Sequence, residues 1–257
     1  MCRLSYTLIT RLTSTRSQLV TTKPTPDFAV LDLQWSPKHD LKSHLLGVAT
    51  STGRLAFYKL VTGEQFVTDL VPVTTKSICD EGVLVLSLSW HPERTDTIGV
   101  TLSDGRICVC NCFTNLPSVW GDESELKVTT VFTHGLEAWT SAFSISQSLI
   151  YSGGDDAVLA LSSMVHDAPD ATADDRAGLA QWQDRRIHQA GVTAILPISD
   201  DLVLTGSYDD HIRLISTPAV GRKAVLAELN LQGGVWRLKL LAAQGYLAIV
   251  SEGGTSR

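Results

Sequence analysis

The 257-residue sequence predicts an all-β fold: a β-propeller of about five recognisable blades, the last incomplete. Three observations predict it. First, strand-like openings recur at Val30, Val85, Ala138, Val192 and Val235, at intervals of 55, 53, 54 and 43 residues, and a period of this size marks a repeat architecture. Second, tight turns follow each opening at a similar distance: Thr52-Gly53, Asp104-Gly105, Asp155-Asp156, Asp209-Asp210 and Glu252-Gly253. After the first four turns an apolar alternation resumes, as in Ile107-Val109 and Ile212-Leu214. Third, His134 precedes Asp155 by 21 residues and His188 precedes Asp209 by the same 21. A unit of short strands joined by such turns cannot bury both faces alone, and a radial stack of four-stranded sheets satisfies that need.

In chain order, residues 1–27 carry Arg3, Arg11, Arg16 and Lys23, with no acid before Asp27. They read as a disordered leader, with a weak likeness in composition to a mitochondrial transit peptide as the other reading. The propeller occupies 28–257. Its first unit spans 28–63, with Val30–Pro37 as inner strand, and residues 64–82 read as a connector. The second unit spans 83–119, and its outer strand sets Cys108, Cys110 and Cys112 on one face by the period of two. A zinc site needs four converging ligands, so packed thiols are the better reading and no metal is expected. The third unit runs from about Thr129 to Met164. Residues 165–184 are acidic, Ala-rich and turn-rich, the pattern of a flexible insertion between blades. The fourth unit spans about Arg185 to Thr217, and the fifth begins near Leu226. Seven blades would need more chain than this, so the expectation is a fragment of a seven-bladed ring.

Composition bounds the function. At 44% hydrophobic residues the chain buries a sizeable core without metal or disulfide. A net charge of −6 argues against a nucleic-acid footprint and favours a cationic partner. Five cysteines, an odd count at irregular spacing, suit reduced thiols in a cytoplasmic protein. No apolar run approaches the length of a membrane-spanning helix.

The His before the first strand and Gly206-Ser207-Tyr208-Asp209 at the second hairpin resemble WD40 repeats, although Leu161 and Ile215 stand where that family has Trp. The resemblance implies that His134 with Asp155, and His188 with Asp209, form structural hydrogen-bond sets that fix each hairpin. A narrower match lies in His134-Gly135-Leu136-Glu137-Ala138-Trp139, Tyr151-Ser152-Gly153-Gly154-Asp155-Asp156, Thr205-Gly206-Ser207-Tyr208-Asp209-Asp210-His211-Ile212 and Leu231-Gln232-Gly233-Gly234-Val235-Trp236-Arg237. Together these resemble the diphthine methylesterase family of diphthamide biosynthesis. That resemblance implies hydrolysis of the methyl ester of methylated diphthine on translation elongation factor two, by a monomer without a cofactor.

The residues themselves are less decisive. No Gly-x-Ser-x-Gly elbow and no His-Glu-x-x-His set is present, so a water attack promoted by His or carboxylate remains. Glu137 is a carboxylate where later units have Gly191 and Gly234, and His211 departs from the small residues at its position; these are the candidate catalytic residues. Trp139, Asp156, Asp210 and Trp236 are the candidate substrate-binding residues, since one mouth lined by acidic and aromatic groups suits a cationic substrate. Each has an alternative role: the tryptophans pack, the aspartates make turns, and Arg237 is an oxyanion partner or an exposed strand residue. The reading from a different class is a noncatalytic WD40 scaffold for a protein partner.

Overall fold

The computed structural model describes residues 27–37, 45–62, 67–113, 120–146, 148–164, 181–241 and 246–251. The leader up to residue 26, most of the 165–184 insertion and the Glu252-Gly253 turn lie outside the described residues.

Among the described residues, eighteen antiparallel strands form five sheets in meander order. The first holds β1 (Val30–Trp35), β2 (Leu45–Thr50), β3 (Arg54–Thr62) and β4 (Val67–Ser77). The second holds β5 (Val85–Trp90), β6 (Thr97–Leu102), β7 (Arg106–Phe113) and β8 (Glu125–Thr133). The third holds β9 (Ala138–Phe143), β10 (Leu149–Gly154), β11 (Leu159–Ser163) and β12 (Trp182–Asp184). The fourth holds β13 (Val192–Ser199), β14 (Leu202–Ser207), β15 (His211–Ser216) and β16 (Ala224–Asn230). The fifth pairs β17 (Val235–Leu241) with β18 (Tyr246–Ser251). The first strands of successive sheets lie side by side, β1 on β5, β5 on β9, β9 on β13 and β13 on β17. That is a propeller, with each sheet a blade and its first strand innermost. The inner strands open at the five residues that the spacing predicts.

Burial explains why the sheets stack. In the first four blades the second strand is covered on both faces, and every residue of β6 is buried. Between the first two blades, Phe57 stacks on Trp120 at 4.5 Å and Trp90 meets Trp120 edge-on at 6.0 Å. Cys108, Cys110 and Cys112 all fall in this core cluster, and burial pushes their thiols above the usual range. Further clusters lie between the second and third blades and between the third and fourth. Polar bonds add register across the inner strands: Trp90 Nε1 donates to the Gln34 carbonyl at 3.0 Å, and Ser89 and Ser141 hydroxyls meet at 3.1 Å. An ion pair joins the fifth blade to the first, Arg237 to Asp32 at 2.7 Å.

The outermost strands correct the unit boundaries. Residues 67–77 are not a connector but β4, hydrogen-bonded along β3, and residues 129–133 complete β8 of the second blade rather than opening the third. Within 165–184, residues 182–184 form β12 against β11, and Leu226 belongs to β16 of the fourth blade. The cysteine strand is third in its sheet, with β8 outside it. An outer strand has one packed face at most, so its pattern is polar and broken: β4 carries Pro72, tolerated at a sheet edge, and all of β16 is exposed.

Candidate functional site

Every inner strand begins with the same irregularity. In β1 the register steps from Val30 to Asp32, in β5 from Val85 to Ser87, and in β13 from Val192 to Ala194. In β9 it steps past Trp139, and in β17 past Trp236. One unpaired residue at a β-bulge bends the strand and re-aims its side chain. The bulged residues Leu31, Leu86, Trp139, Thr193 and Trp236 therefore form one layer at one end of the inner strands. Thr193 turns its hydroxyl to the Val235 carbonyl of the next blade. The two tryptophans are thus equivalent, as their positions in the repeat indicate.

The hairpin turns at that end exchange the duties of two neighbouring aspartates. His134 Nε2 lies 3.0 Å from Ser152 Oγ, and His134 Nδ1 lies 3.0 Å from Asp156, not Asp155. Asp156 also accepts the Gly135 N–H at 2.8 Å and the Val158 N–H at 3.1 Å. Burial works to raise the Asp156 pKa, but His134 and these amides hold it below the usual carboxylate range. Asp156, expected to bind substrate, is the hairpin's structural carboxylate. The reason is a β9–β10 unit one residue longer than its β13–β14 counterpart: Ala138 pairs with Gly154, 16 positions on, and Val192 with Ser207, 15 on. The left-handed residue that closes the turn is accordingly Ala157 (φ 59°) in the third blade and Asp210 (φ 67°) in the fourth.

In the fourth blade the expected His188–Asp209 bond is replaced. His188 Nε2 meets Thr205 Oγ1 at 2.9 Å, while Arg213 takes both Asp209 oxygens at 2.9 and 2.8 Å. Asp209 also accepts the Gln189 and His211 amides at 2.9 and 3.1 Å. His188 Nδ1 is buried without a partner among the described residues. Burial, with Arg213 nearby, lowers the His188 pKa to about 4, so the ring is neutral at pH 7. Asp210 serves the turn conformation. His211 opens β15, two strands out from the inner edge, with Nδ1 at the Asp209 carbonyl and Nε2 3.3 Å from the Asn230 amide nitrogen.

What faces the mouth is a different set. Asp155 is exposed, and its Oδ1 accepts the Trp139 indole N–H at 3.3 Å. Its backbone N–H bonds the Glu137 carbonyl at 2.8 Å, fixing the exposed Glu137 beside it. Tyr208 occupies in the fourth blade the place of Asp155 in the third: its N–H bonds the Gly191 carbonyl at 3.0 Å. A Cβ on Gly191 would sit 2.9 Å from Asp155 Oδ1 and 3.3 Å from the Tyr208 ring, and one on Gly234 would sit 3.0 Å from the ring's other edge. Tyr208 then meets Trp236 edge-to-face, centroids 4.9 Å apart at 87°. Trp139, Asp155, Tyr208 and Trp236 thus form one continuous arc across three blades, with Glu137 at its start. Tyr208 was missed from sequence; its equivalence to Asp155 was the available signal, obscured by the one-residue shift. Arg237 follows Trp236 in β17 and is held by Asp32. Asp32 was also missed. Its carboxyl is buried and accepts the Leu88 N–H at 3.1 Å; burial raises its pKa against the pull of Arg237. No group of three metal-ligating side chains occurs among the described residues.

Comparison with solved structures gives the fold. A chain of the Chaetomium thermophilum Polycomb Repressive Complex 2 bound to GSK126 superposes with a TM-score of 0.70 at 16% identity, over 95% of this chain and 60% of that one. A chain of the Mitotic Checkpoint Complex superposes at 0.58 and 19% identity, over 84% and 58%. Sqt1 from Chaetomium thermophilum does so at 0.59 and 16%, over 86% and 53%. The architecture is the WD40-type propeller. No family model matches the chain. Among curated proteins, the diphthine methyltransferase of Schizosaccharomyces pombe is 31% identical over 215 residues, 82% of this chain and 56% of that protein. Those of Mus musculus and Homo sapiens are each 31% identical over 82% of this chain, and 42% and 44% of their own lengths. The chain spans about half the length of the curated relatives it matches. This relationship, with the motifs that carry it, supports the diphthine methyltransferase family, the one the motifs resemble under the name diphthine methylesterase.

Proposed function

We propose that this chain hydrolyses the methyl ester of methylated diphthine on translation elongation factor two, in the cytoplasm and as a monomer. The observation that carries the reading is the arc at the bulged end of the inner strands, where an exposed carboxylate, Glu137, adjoins a mouth of Trp139, Asp155, Tyr208 and Trp236. The names of the relatives point to the same substrate chemistry.

In this reading Glu137 takes a proton from water as the oxygen attacks the ester carbonyl. Arg237, oriented by Asp32, donates to the oxyanion that develops. Collapse of the tetrahedral intermediate breaks the bond from acyl carbon to methoxy oxygen, and the proton held by Glu137 leaves with methanol. The carboxylic acid so formed loses its remaining proton to solvent, and the protein product is a free carboxylate. His211 is the second candidate base, although its ring nitrogens already have neighbours within their own hairpin.

The test is incubation of the chain with the methylated factor in ¹⁸O-enriched water, followed by peptide mass spectrometry. Hydrolysis predicts loss of one methyl group and one ¹⁸O in the new carboxylate. Loss of methyl without ¹⁸O would mean transfer of the methyl to another acceptor and would overturn hydrolysis. No loss from a folded chain would leave a binding module in place of an enzyme.

A further inference from the structure

We propose that the cleft on the outer rim between the third and fourth blades binds an extended, acidic segment of a partner protein, added as a fifth strand along β16. The cleft is a separate place from the mouth described above and takes no part in the proposed reaction.

Its walls are the outermost strands of the two blades, β12 and β16. On the third-blade side Trp182, Asp184 and Arg186 line it at alternate positions, with Ile187 and Gln189 beyond. The fourth blade lines it without a gap from Gly221 to Glu228. A strand that shows one face contributes every second residue, so the unbroken run means that the edge of β16 is open to the cleft as well. The volume is about 1120 Å³. Small-molecule sites hold roughly 300–1,000 Å³, so this is room for a segment of chain.

An open sheet edge is a template for another strand unless something blunts it. The other outer strands are blunted: β4 carries Pro72 and Lys76, β8 carries the exposed Lys127, and β12 has only three residues. None of these devices is present in β16. Its seven residues are all exposed, include neither Pro nor Lys, and leave Val225 and Leu226 at 40% and 57% exposure. A bulge at Leu226 interrupts its pairing with β15, but β4 and β8 have bulges too, so this does not set β16 apart.

Charge selects the segment. The two carboxylates in the cleft are already engaged: Asp184 accepts the Arg186 N–H at 2.6 Å and meets its guanidinium at 3.4 Å, and Glu228 lies 3.3 Å from Arg213. Arg213 is held in turn by both oxygens of Asp209. Arg222 and Lys223, at the head of β16, meet no carboxylate among the described residues. Lys223 lies instead 5.5 Å over the Trp182 ring and donates to the Pro218 carbonyl at 3.2 Å. In a chain of net charge −6, two uncompensated cations therefore stand at one end of an open strand. A segment that pairs with β16 and carries carboxylates beside Arg222 and Lys223 satisfies both the edge and the charge.

Fluorescence anisotropy on the full chain tests this with three labelled peptides: (Glu-Thr)₄, (Lys-Thr)₄, and the first peptide with N-methyl groups on its two central residues. Adjacent N-methyl groups leave neither edge of the peptide able to pair through its middle. The acidic peptide is expected to bind roughly tenfold more tightly than the basic one and about fivefold more tightly than the N-methylated one, and to weaken as salt rises. The double variant Arg222→Glu/Lys223→Glu should weaken the acidic peptide about tenfold with thermal denaturation unchanged. Lys127→Glu, on the outer strand of the second blade, should leave binding unchanged. No binding of the acidic peptide, equal binding of the basic or N-methylated peptide, or undiminished binding in Arg222→Glu/Lys223→Glu would overturn the proposal. An oligouridylate that binds in place of the acidic peptide, and is lost in the same double variant, would give the cleft to nucleic acid and overturn it as well.

Discussion

Asp155 and Asp156 are adjacent, chemically identical and differently employed. Asp156 ties His134, Gly135 and Val158 into one hairpin, whereas the hydrogen bonds of Asp155 among the described residues go to the Trp139 indole and the Glu137 carbonyl. Asp156→Ala should therefore lower stability by about 1–3 kcal/mol, since it strands buried donors. Asp155→Ala should stay within about 0.5 kcal/mol; thermal denaturation of the two variants measures the contrast. His188 makes a second prediction at this scale. Its folded pKa is about 4, below the ordinary 6.5, so the unfolded chain binds a proton that the folded chain refuses. The stability this contributes is complete above pH 6.5 and drains away as pH falls toward 4, with a slope of up to about 1.4 kcal/mol per pH unit. Denaturant titrations across that window should show the slope, and His188→Gln should flatten it. The His-and-hairpin pairing was legible from residue type and spacing. The identity of the aspartate was not, because a unit one residue longer changes nothing in the composition of the motif.

Among elements, the inner strands were the most legible, because their openings recur at a near-constant spacing, and the strand after each turn showed as an apolar alternation such as Ile107-Val109. Outer strands β4, β8 and β16 were hidden by their polar, exposed faces and were read as connectors or as the start of the next blade. The bulges were illegible, since no residue type marks them; only the repeated Trp at the second inner-strand position hinted at a shared layer. Gly206 shows how tightly blades meet: a Cβ there would sit 2.8 Å from the Val235 Cβ of the next inner strand. Gly206→Ala should cost about 1–3 kcal/mol by forcing the fourth and fifth blades apart. Chemical denaturation checks it, and a neutral result would mean the blades slide freely past one another.

At the scale of the whole molecule, function depends on sheets distant in sequence sharing one end. The ion pair between Asp32 and Arg237 joins residues 205 positions apart and ties the first blade to the fifth. Arg237→Met should destabilise by about 1–3 kcal/mol, because it leaves the Asp32 carboxylate buried without its cation. In Asp32→Asn/Arg237→Met much of that loss should return, and a double-mutant cycle reads the coupling directly. The same convergence sets Glu137 at the start of an arc that runs through Asp155 and Trp139 toward Tyr208 and Trp236. The most direct measurement of this account is single-turnover demethylation of methylated elongation factor two by the native chain and by Glu137→Gln. The account predicts a rate lower by roughly 10²-fold or more in Glu137→Gln, with thermal denaturation unchanged. A Glu137→Gln chain that demethylates at the native rate would contradict it.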